Sequence, residues 1–561
     1  MTMKFDEILE KLGQFGIYQK KVFGMLAFPA VSIGSFCFMV IVVLYTPHHR
    51  CKIPGLDNDT YEIQGQFHED LLNKTIPLSA DPTLTYDQCR MYDTGNALLD
   101  LSRRQSNATL VKCTEWVYDK SVFYETFTSK ANFVCDDALK TSHIQMFFYF
   151  GVLVGDFVLG MFADSLGRKK ALCLALALLL VVSASVTWAP EFYSFAILQF
   201  LVGAFAHGAF MCMAVYCMEI VGVTSRVWTG MFLQIFFGVG AIYLATVSFL
   251  VRDWIWINAA CVIPCLFYLA FWWLIPESPR WLISKGRRRE SVTIIRKVAD
   301  ANKVSLPDSM LEVKEDDKGT HGNLWHVITS PVLLKRTLIL SFDWMIVSMT
   351  YYGVTMNSGN LGGSFFLNFL LMGVAEIPGY LVGIALLDRV GRRWCNAGGL
   401  LVGGLACIAT VPTVLLGNSD LQWLTVALAL IGKAGSSLAF GVVFIFTGEL
   451  LPTVVRNAAM GTCSCAARVG AMLAPYIAKS GEMIGGEFGQ IEPLVVFGGL
   501  SIVAGLLLLL LPETLNQKLP DTIKEGEEFG RKSIPPYDIE LEIEAPFIIK
   551  DANTKPVCNG V

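Results

Sequence analysis

The chain alternates between long apolar runs and polar segments, and this pattern predicts its secondary structure. A helix that crosses a bilayer needs about 20 mostly apolar residues, and twelve runs meet that requirement. The runs lie near 22–45, 143–163, 171–189, 192–216, 227–250, 254–275, 337–356, 364–387, 394–416, 422–446, 457–480 and 491–511. The residues before the first run are too charged for the apolar core of a signal peptide, so we expect that run to remain as an anchor. The pattern predicts an all-α membrane protein with twelve transmembrane helices.

The composition agrees with a chain embedded in lipid. Of 561 residues, 53% are apolar and only 16% are charged, whereas soluble proteins carry roughly a quarter of charged residues. The mean hydropathy is +0.51. The net charge of −4 provides no basic field for nucleic acid. We therefore expect the lipid bilayer as a partner and no nucleic acid.

Charge in the short loops predicts the orientation. The loops after the second, fourth, eighth and tenth runs carry several Arg and Lys residues, whereas the short loops on the other side carry only Arg252. Because basic loops remain in the cytoplasm, both termini should be cytoplasmic and the long loop 46–142 extracellular. The predicted segments are a cytoplasmic N-terminal segment 1–21, a six-helix half 22–275, a cytoplasmic linker 276–336, a second six-helix half 337–511 and a cytoplasmic tail 512–561.

The loop 46–142 has the chemistry of a folded ectodomain. It contains three N-glycosylation sequons, at Asn58, Asn73 and Asn107. It also contains an even number of cysteines, Cys51, Cys89, Cys113 and Cys135. In an oxidising compartment these predict two disulfides, with three pairings open. Most other cysteines lie within the runs without zinc-site spacing, so we expect packing and no metal. Any oligomer is expected to form through this loop.

The two halves repeat one set of motifs. A Gly- and Asp-containing basic loop follows the second run and again the eighth, and an acid followed by six residues and an Arg recurs after the fourth and tenth. The candidate gating residues are Asp164, Arg168, Glu219 and Arg226 in the first half and Asp388, Arg392, Glu449 and Arg456 in the second. Such duplication is typical of transporters whose halves rock about a midplane site. We expect these charges to pair across the halves when the cytoplasmic side is shut; the alternative is that they only set the topology.

These motifs carry a family resemblance. Residues 160–169 and 276–282 resemble motifs of the major facilitator superfamily. Within it, the cysteine-bearing outer loop and residues 15–19, 449–457 and 519–523 resemble the organic cation, carnitine and anion transporters of the solute carriers, particularly those of insect type in residues 342–344 and 376–380. Two positions depart from the pattern of this family. Gln199 replaces an Arg that is usual in the fourth helix, and Arg468 replaces the Asp of strict cation transporters, as in the carnitine and anion branches.

Ionisable residues within the runs indicate the binding site, since an unpaired charge there costs about 2.5–3.5 kcal/mol. They are Asp156, His207, Asp343, Glu376, Lys433 and Arg468. The second half contains four of them, Asp343, Glu376, Lys433 and Arg468. If these four line one cavity, its two acids and two bases would suit a zwitterion or an amine with a polar acceptor. The resemblance places a substrate-sensing Glu at Glu376; the alternative is a structural pair with Lys433 or Arg468. Arg468 is the candidate for a substrate carboxylate or carbonyl, or else neutralises Glu376 or Asp343.

The other three charges have simpler interpretations. Lys433 is expected to be a structural or gating charge beside the site. Asp156 is expected to form a hydrogen bond between helices. His207 could relay protons because its usual pKa is near neutral, but packing with a hydrogen bond is the simpler expectation.

Aromatic residues complete the predicted site. Trp344 and Tyr351 are two helical turns apart and share a face of the seventh helix, and the resemblance places aromatics at both positions in the cavity. A ring near an ammonium contributes up to ~2 kcal/mol. Phe446 is a further candidate, with Phe444 and Tyr352; the alternative for each is packing against lipid or helices.

The function expected is transport. The sequence has no Walker loop, nucleophile elbow or zinc helix, so we expect neither an enzyme nor a cofactor. We expect a plasma-membrane carrier that moves small organic cations or zwitterions by alternating access, such as biogenic amines, amine conjugates or carnitine-like compounds. The alternatives are an organic anion transporter, a substrate sensor or receptor on a transporter scaffold, and a channel-like facilitator. The coupling ion is left open.

Overall fold

The computed structural model describes residues 5–79, 84–93, 109–305, 307, 324–415 and 421–530. The first half and its loop contain α1 Phe5–Lys11, α2 Ile17–Val43, α3 Gln66–Thr75, α4 Phe127–Ala131, α5 Leu139–Leu166, α6 Arg168–Ser185, α7 Phe192–Ile220, α8 Arg226–Val251, α9 Trp254–Val262, α10 Cys265–Tyr268 and α11 Phe271–Leu274. The linker contains α12 Pro279–Ser284, α13 Arg288–Asn302 and α14 Leu324–Thr329. The second half contains α15 Pro331–Met356, α16 Phe365–Val390, α17 Arg392–Ile408, α18 Thr410–Leu415, α19 Gln422–Leu450, α20 Thr453–Ile484 and α21 Gly486–Leu508, followed by α22 Ile523–Glu528.

Ten helical segments among the described residues are long and apolar enough to cross a membrane. They correspond to ten of the twelve apolar runs. The seventh and eleventh runs form the long helices α15 and α20, which do not reach the same apolarity. The physical reason is polar content, since α15 carries Asp343 and α20 carries Arg468 and Lys479. These two helices are nevertheless 26 and 32 residues long, which exceeds the length needed to span a bilayer.

Several helices begin earlier than the apolar runs predict, because backbone hydrogen bonding continues into polar residues. Arg168 and Arg392, expected in loops, are the first residues of α6 and α17. Single glycines separate these helices from the preceding ones, with Gly167 at φ 109° and Gly391 at φ 107°. A side chain at either glycine would meet the carboxylate of Glu277 or Glu513. Only glycine therefore suits these two turns.

The two halves meet along their inner helices. Helix α5 packs against α20, and α8 packs against α16. At the end next to the 46–142 loop, Tyr45 lies 4.8 Å from Phe365 between ring centres, and Phe123 lies 5.1 Å from Phe366. Nearer the middle, Tyr149 of the first half lies 4.9 Å from Tyr352 of the second. Aromatic contacts thus close the interface from the middle to the outer end.

The loop 46–142 contains two short antiparallel pairs of strands. Strand β1 His49–Cys51 pairs with β4 Trp116–Tyr118, and β2 Arg90–Tyr92 pairs with β3 Leu110–Lys112. Disulfides join Cys51 to Cys113 and Cys89 to Cys135. This selects one of the three pairings that the sequence left open. The first disulfide lies in a small apolar core with residues of α3, such as Leu72.

The segments on the opposite face are also structured. Helix α1 packs on α12 and α13 through Phe5, Leu9 and Val298. The Asn302 side chain donates to the Leu12 carbonyl oxygen at 2.9 Å and accepts from the Tyr18 amide at 3.0 Å. The N-terminal segment and the linker, which the apolar pattern separates, therefore form one layer beneath the first half.

Candidate functional site

An ion pair occupies the middle of the second half. The Lys433 ammonium on α19 lies 2.9 Å from the Glu376 carboxylate on α16, and neither side chain has exposed surface. Lys433 also donates to the Tyr351 carbonyl oxygen at 3.0 Å. Glu376 therefore adopts the structural-pair alternative stated from the sequence, with Lys433 rather than Arg468 as its partner.

Aromatic rings surround this ammonium. The Lys433 Nζ lies 3.3 Å from the centre of the Tyr351 ring and 5.5 Å from that of Phe38 in the first half. The Tyr351 hydroxyl donates to Glu376 at 2.8 Å. Phe440 stacks on Tyr351 with 5.0 Å between ring centres. A carboxylate, a carbonyl oxygen and ring faces are the groups that bind an ammonium.

The first half closes this site at close range. A Cβ atom at Gly238 on α8 would lie 2.8 Å from Glu376 Oε2. A larger residue at position 238 would therefore displace the carboxylate. Gly238 and Phe38 place the ammonium site at the boundary between the two halves, where a rocking motion would change it.

Arg468 belongs to a different cluster. Its guanidinium donates to Asp156 on α5 at 3.0 Å, and His207 Nδ1 on α7 lies 2.7 Å from the other Asp156 oxygen. Arg468 is buried, as is His207. The cluster spans both halves, since α5 and α7 belong to the first and α20 to the second. Asp156 joins α5 to α7 within the first half, the local contact expected from the sequence, and it also links the two halves through Arg468.

Asp343 and Trp344 face other neighbours. Asp343 accepts from the Asn396 side chain on α17 at 2.8 Å. The Trp344 indole donates to Thr447 at 2.8 Å and its ring lies 4.3 Å from that of Phe444. Phe446 is fully buried. The four charges of the second half are thus divided among three groups in this structure, which differs from the single cavity expected from the sequence.

The gating candidates form two matching ion-pair networks. In the first half Arg168 lies 2.8 Å from Asp164 and 2.8 Å from Glu219, and Ser278 donates to Glu219. In the second half, the same contacts recur between Arg392 and Asp388 at 3.1 Å, between Arg392 and Glu449 at 3.0 Å, and between Thr514 and Glu449 at 2.6 Å. Each network joins helix ends within its own half. The pairing across the halves, which we expect when the cytoplasmic side is shut, is not among the ion pairs of these residues in this structure.

The Arg residues that end the repeated motif, Arg226 and Arg456, have different partners in the two halves. Arg226 pairs with Asp6 of α1 at 2.6 Å rather than with Glu219. Arg456 donates to the Leu451 carbonyl oxygen at 3.3 Å. The N-terminal helix thus supplies the partner in the first half, a role that sequence spacing alone did not reveal.

The loop 46–142 has its own buried ion pair. The Asp59 carboxylate accepts two hydrogen bonds from the Arg50 guanidinium and lies 3.1 Å from His68. Burial alone would raise the pKa of Asp59, but the bonds from Arg50 and the Ile53 amide hold it below its usual value. Burial lowers the pKa of His49 to about 4, with a contribution from Lys479. Asn58 and Asn73 are exposed, as glycosylation requires; Asn107 lies outside the described residues.

The described residues offer no metal site in this region. His49, Cys89 and Cys135 bring three ligand-type atoms within 4.8 Å of one another. Both sulfurs form a disulfide and are therefore not available as thiolate ligands.

Sequence reasoning missed Phe38, Phe440 and Gly238 as members of the ammonium site. Phe38 is one of 37 Phe residues, and no local signal distinguishes it from the others. Gly238 is one of 49 Gly residues, and its spacing from Gly240 does not follow the small-xxx-small pattern of close helix approach, so no local signal identified it either.

The comparisons with known proteins agree with the fold. Residues 105–522 match the family described as "Sugar (and other) transporter". The organic cation transporter protein of Drosophila melanogaster is 36% identical over 548 residues, with 95% of this chain and 96% of that protein covered. Solute carrier family 22 member 2 of Homo sapiens is 31% identical over 551 residues, with 95% and 96% covered.

Solved structures show the same architecture. The xylose transporter XylE from E. coli, in a partially occluded inward open conformation, superposes with a TM-score of 0.57 at 15% identity, over 90% of this chain and 100% of that one. An inward open conformation of the same transporter gives a TM-score of 0.55 at 14% identity, over 89% and 97%. At this identity the likeness concerns the fold alone, and it confirms the predicted major facilitator fold.

Proposed function

Because the chain belongs to the sugar (and other) transporter family and, within it, to the organic cation transporters, we propose that it carries small organic cations across the plasma membrane by alternating access. Transporters of this kind carry out no covalent chemistry. The proposal includes α15 and α20 as membrane-crossing helices, both termini in the cytoplasm and the 46–142 loop outside.

The observation that carries this proposal is the ammonium of Lys433 in the Glu376–Tyr351–Phe38 site. The chain's own lysine supports the proposal, because its primary ammonium is already buried against the carboxylate and ring faces of this site. A substrate ammonium would take the same position and displace Lys433. Such an exchange keeps Glu376 paired but takes the carboxylate away from the Lys433 ammonium, and a buried charge without its partner costs about 3–5 kcal/mol.

Exchange of one cation for another also links binding to motion. When substrate displaces it, the Lys433 ammonium loses Glu376 and must find other acceptors, of which the Tyr351 carbonyl oxygen is one. Tyr351 and Phe38 lie on opposite sides of the boundary between the halves. Occupancy of the site therefore bears on how the halves pack, as a carrier requires.

A zwitterion would need a second contact besides the one that displaces Lys433. A substrate carboxylate or carbonyl would bind Arg468 only by competing with Asp156 for its guanidinium. We therefore propose that simple organic cations are the primary substrates, and that carnitine-like compounds bind where they separate Arg468 from Asp156.

The direct test is uptake of radiolabelled monovalent amines by cells that display the protein at the surface. Glu376→Gln should weaken uptake of every amine, by about 1–3 kcal/mol for a charge-assisted hydrogen bond. Glu492→Gln is the matched control, because Glu492 lies near the start of α21 and accepts from Ser480. Saturable uptake accelerated by substrate on the far side would distinguish a carrier from a receptor or a channel.

A second measurement examines the site without transport. Lys433→Ala should lower the thermal stability of purified protein, and millimolar methylammonium should restore part of it by filling the vacated position. The double variant Lys433→Ala with Glu376→Gln should show no such rescue. If methylammonium stabilises both variants equally, the Glu376 site does not bind free ammonium ions and the proposal fails.

A further inference from the structure

A cavity lies at the end of the second half that the proposed topology places in the cytoplasm. It has a volume of about 480 Å3 and opens between the start of α15, the start of α17 and the end of α21. Its charged lining consists of Lys335, Arg336 and Arg393. None of these residues takes part in the ammonium site or in the two ion-pair networks.

The charge in this cavity is only partly used by the protein. Arg336 is buried and donates to the carbonyl oxygens of Gly526 and Phe529, each at 2.6 Å. Arg393 donates one bond to the Leu511 carbonyl oxygen at 2.9 Å, while its buried Nε has no hydrogen-bond partner. Within the described part of the chain, Lys335 is exposed and neither it nor Arg393 forms an ion pair.

Glu513, which contacts the Arg393 backbone, forms no ion pair with the Arg393 side chain. Glu513 accepts from the backbone amides of Arg392 and Arg393 rather than from the Arg393 guanidinium. Arg393 instead lies with its guanidinium carbon 4.7 Å from the centre of the Trp394 ring. A donor without an acceptor and two unpaired cations are the features of a site that binds an anion.

Apolar surface surrounds the basic cavity. Its walls include Val332, Ile339 and Leu510, and the outer surface of the same helix ends exposes Leu338 at 60%, Leu510 at 63% and Trp394 at 49%. Exposed Leu residues on membrane helices contact acyl chains, and Trp is enriched where the headgroups begin. The anion site therefore lies at the depth of lipid headgroups.

We propose that this cavity binds the phosphate headgroup of an anionic lipid of the cytoplasmic leaflet, with its acyl chains along Leu338 and Leu510. Basic pockets between membrane helices on the cytoplasmic side bind such headgroups. The Arg guanidinium presents a planar fork that matches phosphate oxygens, and Lys335 adds a point charge at the exposed edge. A lipid carrying several phosphates, such as a phosphoinositide, contacts both Lys335 and Arg393.

A lipid explains more of the cavity than a free phosphate ion does. A free phosphate ion needs the cations but not the apolar walls. The chain's own tail contains Asp538, Glu540, Glu542 and Glu544 after the described residues, and carboxylates of that segment could compete for the same cations. The tail carries apolar residues between these acids as well, so the truncation at Gly530 described below decides between the tail and the lipid.

The experiment uses the full chain in nanodiscs of neutral phosphatidylcholine, with and without a few per cent of phosphatidylinositol 4,5-bisphosphate. Native mass spectrometry counts retained anionic lipid and thermal unfolding measures stabilisation. We expect wild type to retain the phosphoinositide and to unfold at higher temperature with it. Lys335→Gln should lower retention at least threefold, and Lys335→Gln with Arg393→Gln should abolish the thermal shift.

Lys285→Gln is the matched control, because it removes the same charge from an exposed position of the linker. It should retain the lipid as wild type does. Equal retention in Lys335→Gln, the double variant and the control would overturn the proposal. If Arg393→Gln unfolds the protein, lipid retention by Lys335→Gln alone still tests the proposal, because Lys335 is exposed and its replacement leaves the fold intact.

Two further arms separate the rivals. Inorganic phosphate or inositol trisphosphate added to phosphatidylcholine nanodiscs should give less than half of the thermal shift; the full shift would identify a free-anion site and overturn the lipid assignment. A chain that ends at Gly530 should retain the phosphoinositide as the full chain does. Retention that occurs only after this truncation would show that the tail occupies the cavity.

Discussion

The Arg468 guanidinium lies 3.0 Å from the Asp156 carboxylate, and this ion pair joins the two halves of the protein midway along α20 and α5. His207 lies on the other carboxylate oxygen of Asp156. The pair couples a residue identified as a departure from strict cation transporters with one expected only to join helices locally. In this structure the Arg468 guanidinium contacts Asp156 of the other half, so a substrate would have to compete with Asp156 for it.

The first prediction concerns this pair. Asp156→Asn should lower the stability of the purified protein by about 3–5 kcal/mol, because it leaves the Arg468 charge buried without a carboxylate. Adding Arg468→Gln should recover part of that loss, so the double variant should be more stable than the sum of the single effects requires. Thermal unfolding of the four proteins measures the coupling. Strictly additive effects would show that the pair contributes nothing to stability.

The second prediction concerns the matching ion-pair networks. The Asp164 side chain is 77% exposed and that of Glu219 only 12%, although both pair with Arg168. Asp164→Asn should therefore cost at most about 1 kcal/mol, as exposed pairs do. Glu219→Gln should cost about 2–3 kcal/mol, between exposed and fully buried pairs.

Transport kinetics test whether the same ion-pair networks control the conformational change. Glu219→Gln and Glu449→Gln should lower the maximal uptake rate more than the apparent substrate affinity, because the networks join helix ends and not substrate. Asp164→Asn and Asp388→Asn are the milder matched pair. Loss of affinity at an unchanged maximal rate would indicate that these residues contact substrate instead.

The third prediction is a pH dependence in the ectodomain. The pKa of His49 is about 4 in the folded protein and about 6.5 in an unfolded chain. Stability from this group is therefore present above pH 6.5 and is lost as the pH falls toward 4, by about 2 kcal/mol at pH 5. His49→Phe should reduce the fall in unfolding temperature between pH 7.5 and 5. An unchanged fall would mean that other groups account for it.

The fourth prediction concerns glycosylation. Asn58 and Asn73 are exposed, so Asn58→Gln and Asn73→Gln should each remove one glycan in a secretory host, seen as a step in gel mobility. The triple variant that also carries Asn107→Gln should migrate near the unmodified 61.8 kDa. If wild type carries no glycan, the extracellular placement of the loop loses its independent support.

Local patterns in the sequence predicted most of the architecture. Apolar runs of sufficient length indicated the helices because every backbone group must form a hydrogen bond inside the bilayer. The repeated acid and Arg spacings indicated two halves, and the structure shows the same network twice around Arg168 and Arg392. The runs 337–356 and 457–480 also predicted α15 and α20, although the buried charges of these two helices make them less apolar than the other ten.

The partner of each buried charge was decided by the tertiary structure. The sequence by itself determined that Glu376, Lys433, Asp156 and Arg468 lie in membrane-length helices and that each needs a partner. It left Glu376 equally free to pair with Lys433 or Arg468, because both are cations at comparable depth. Only the packing of α16 against α19 and of α5 against α20 assigns Lys433 to Glu376 and Arg468 to Asp156. Charge attraction acts over a few ångströms in a dry interior, so the distances between helices, which no local pattern encodes, determine which pairs form.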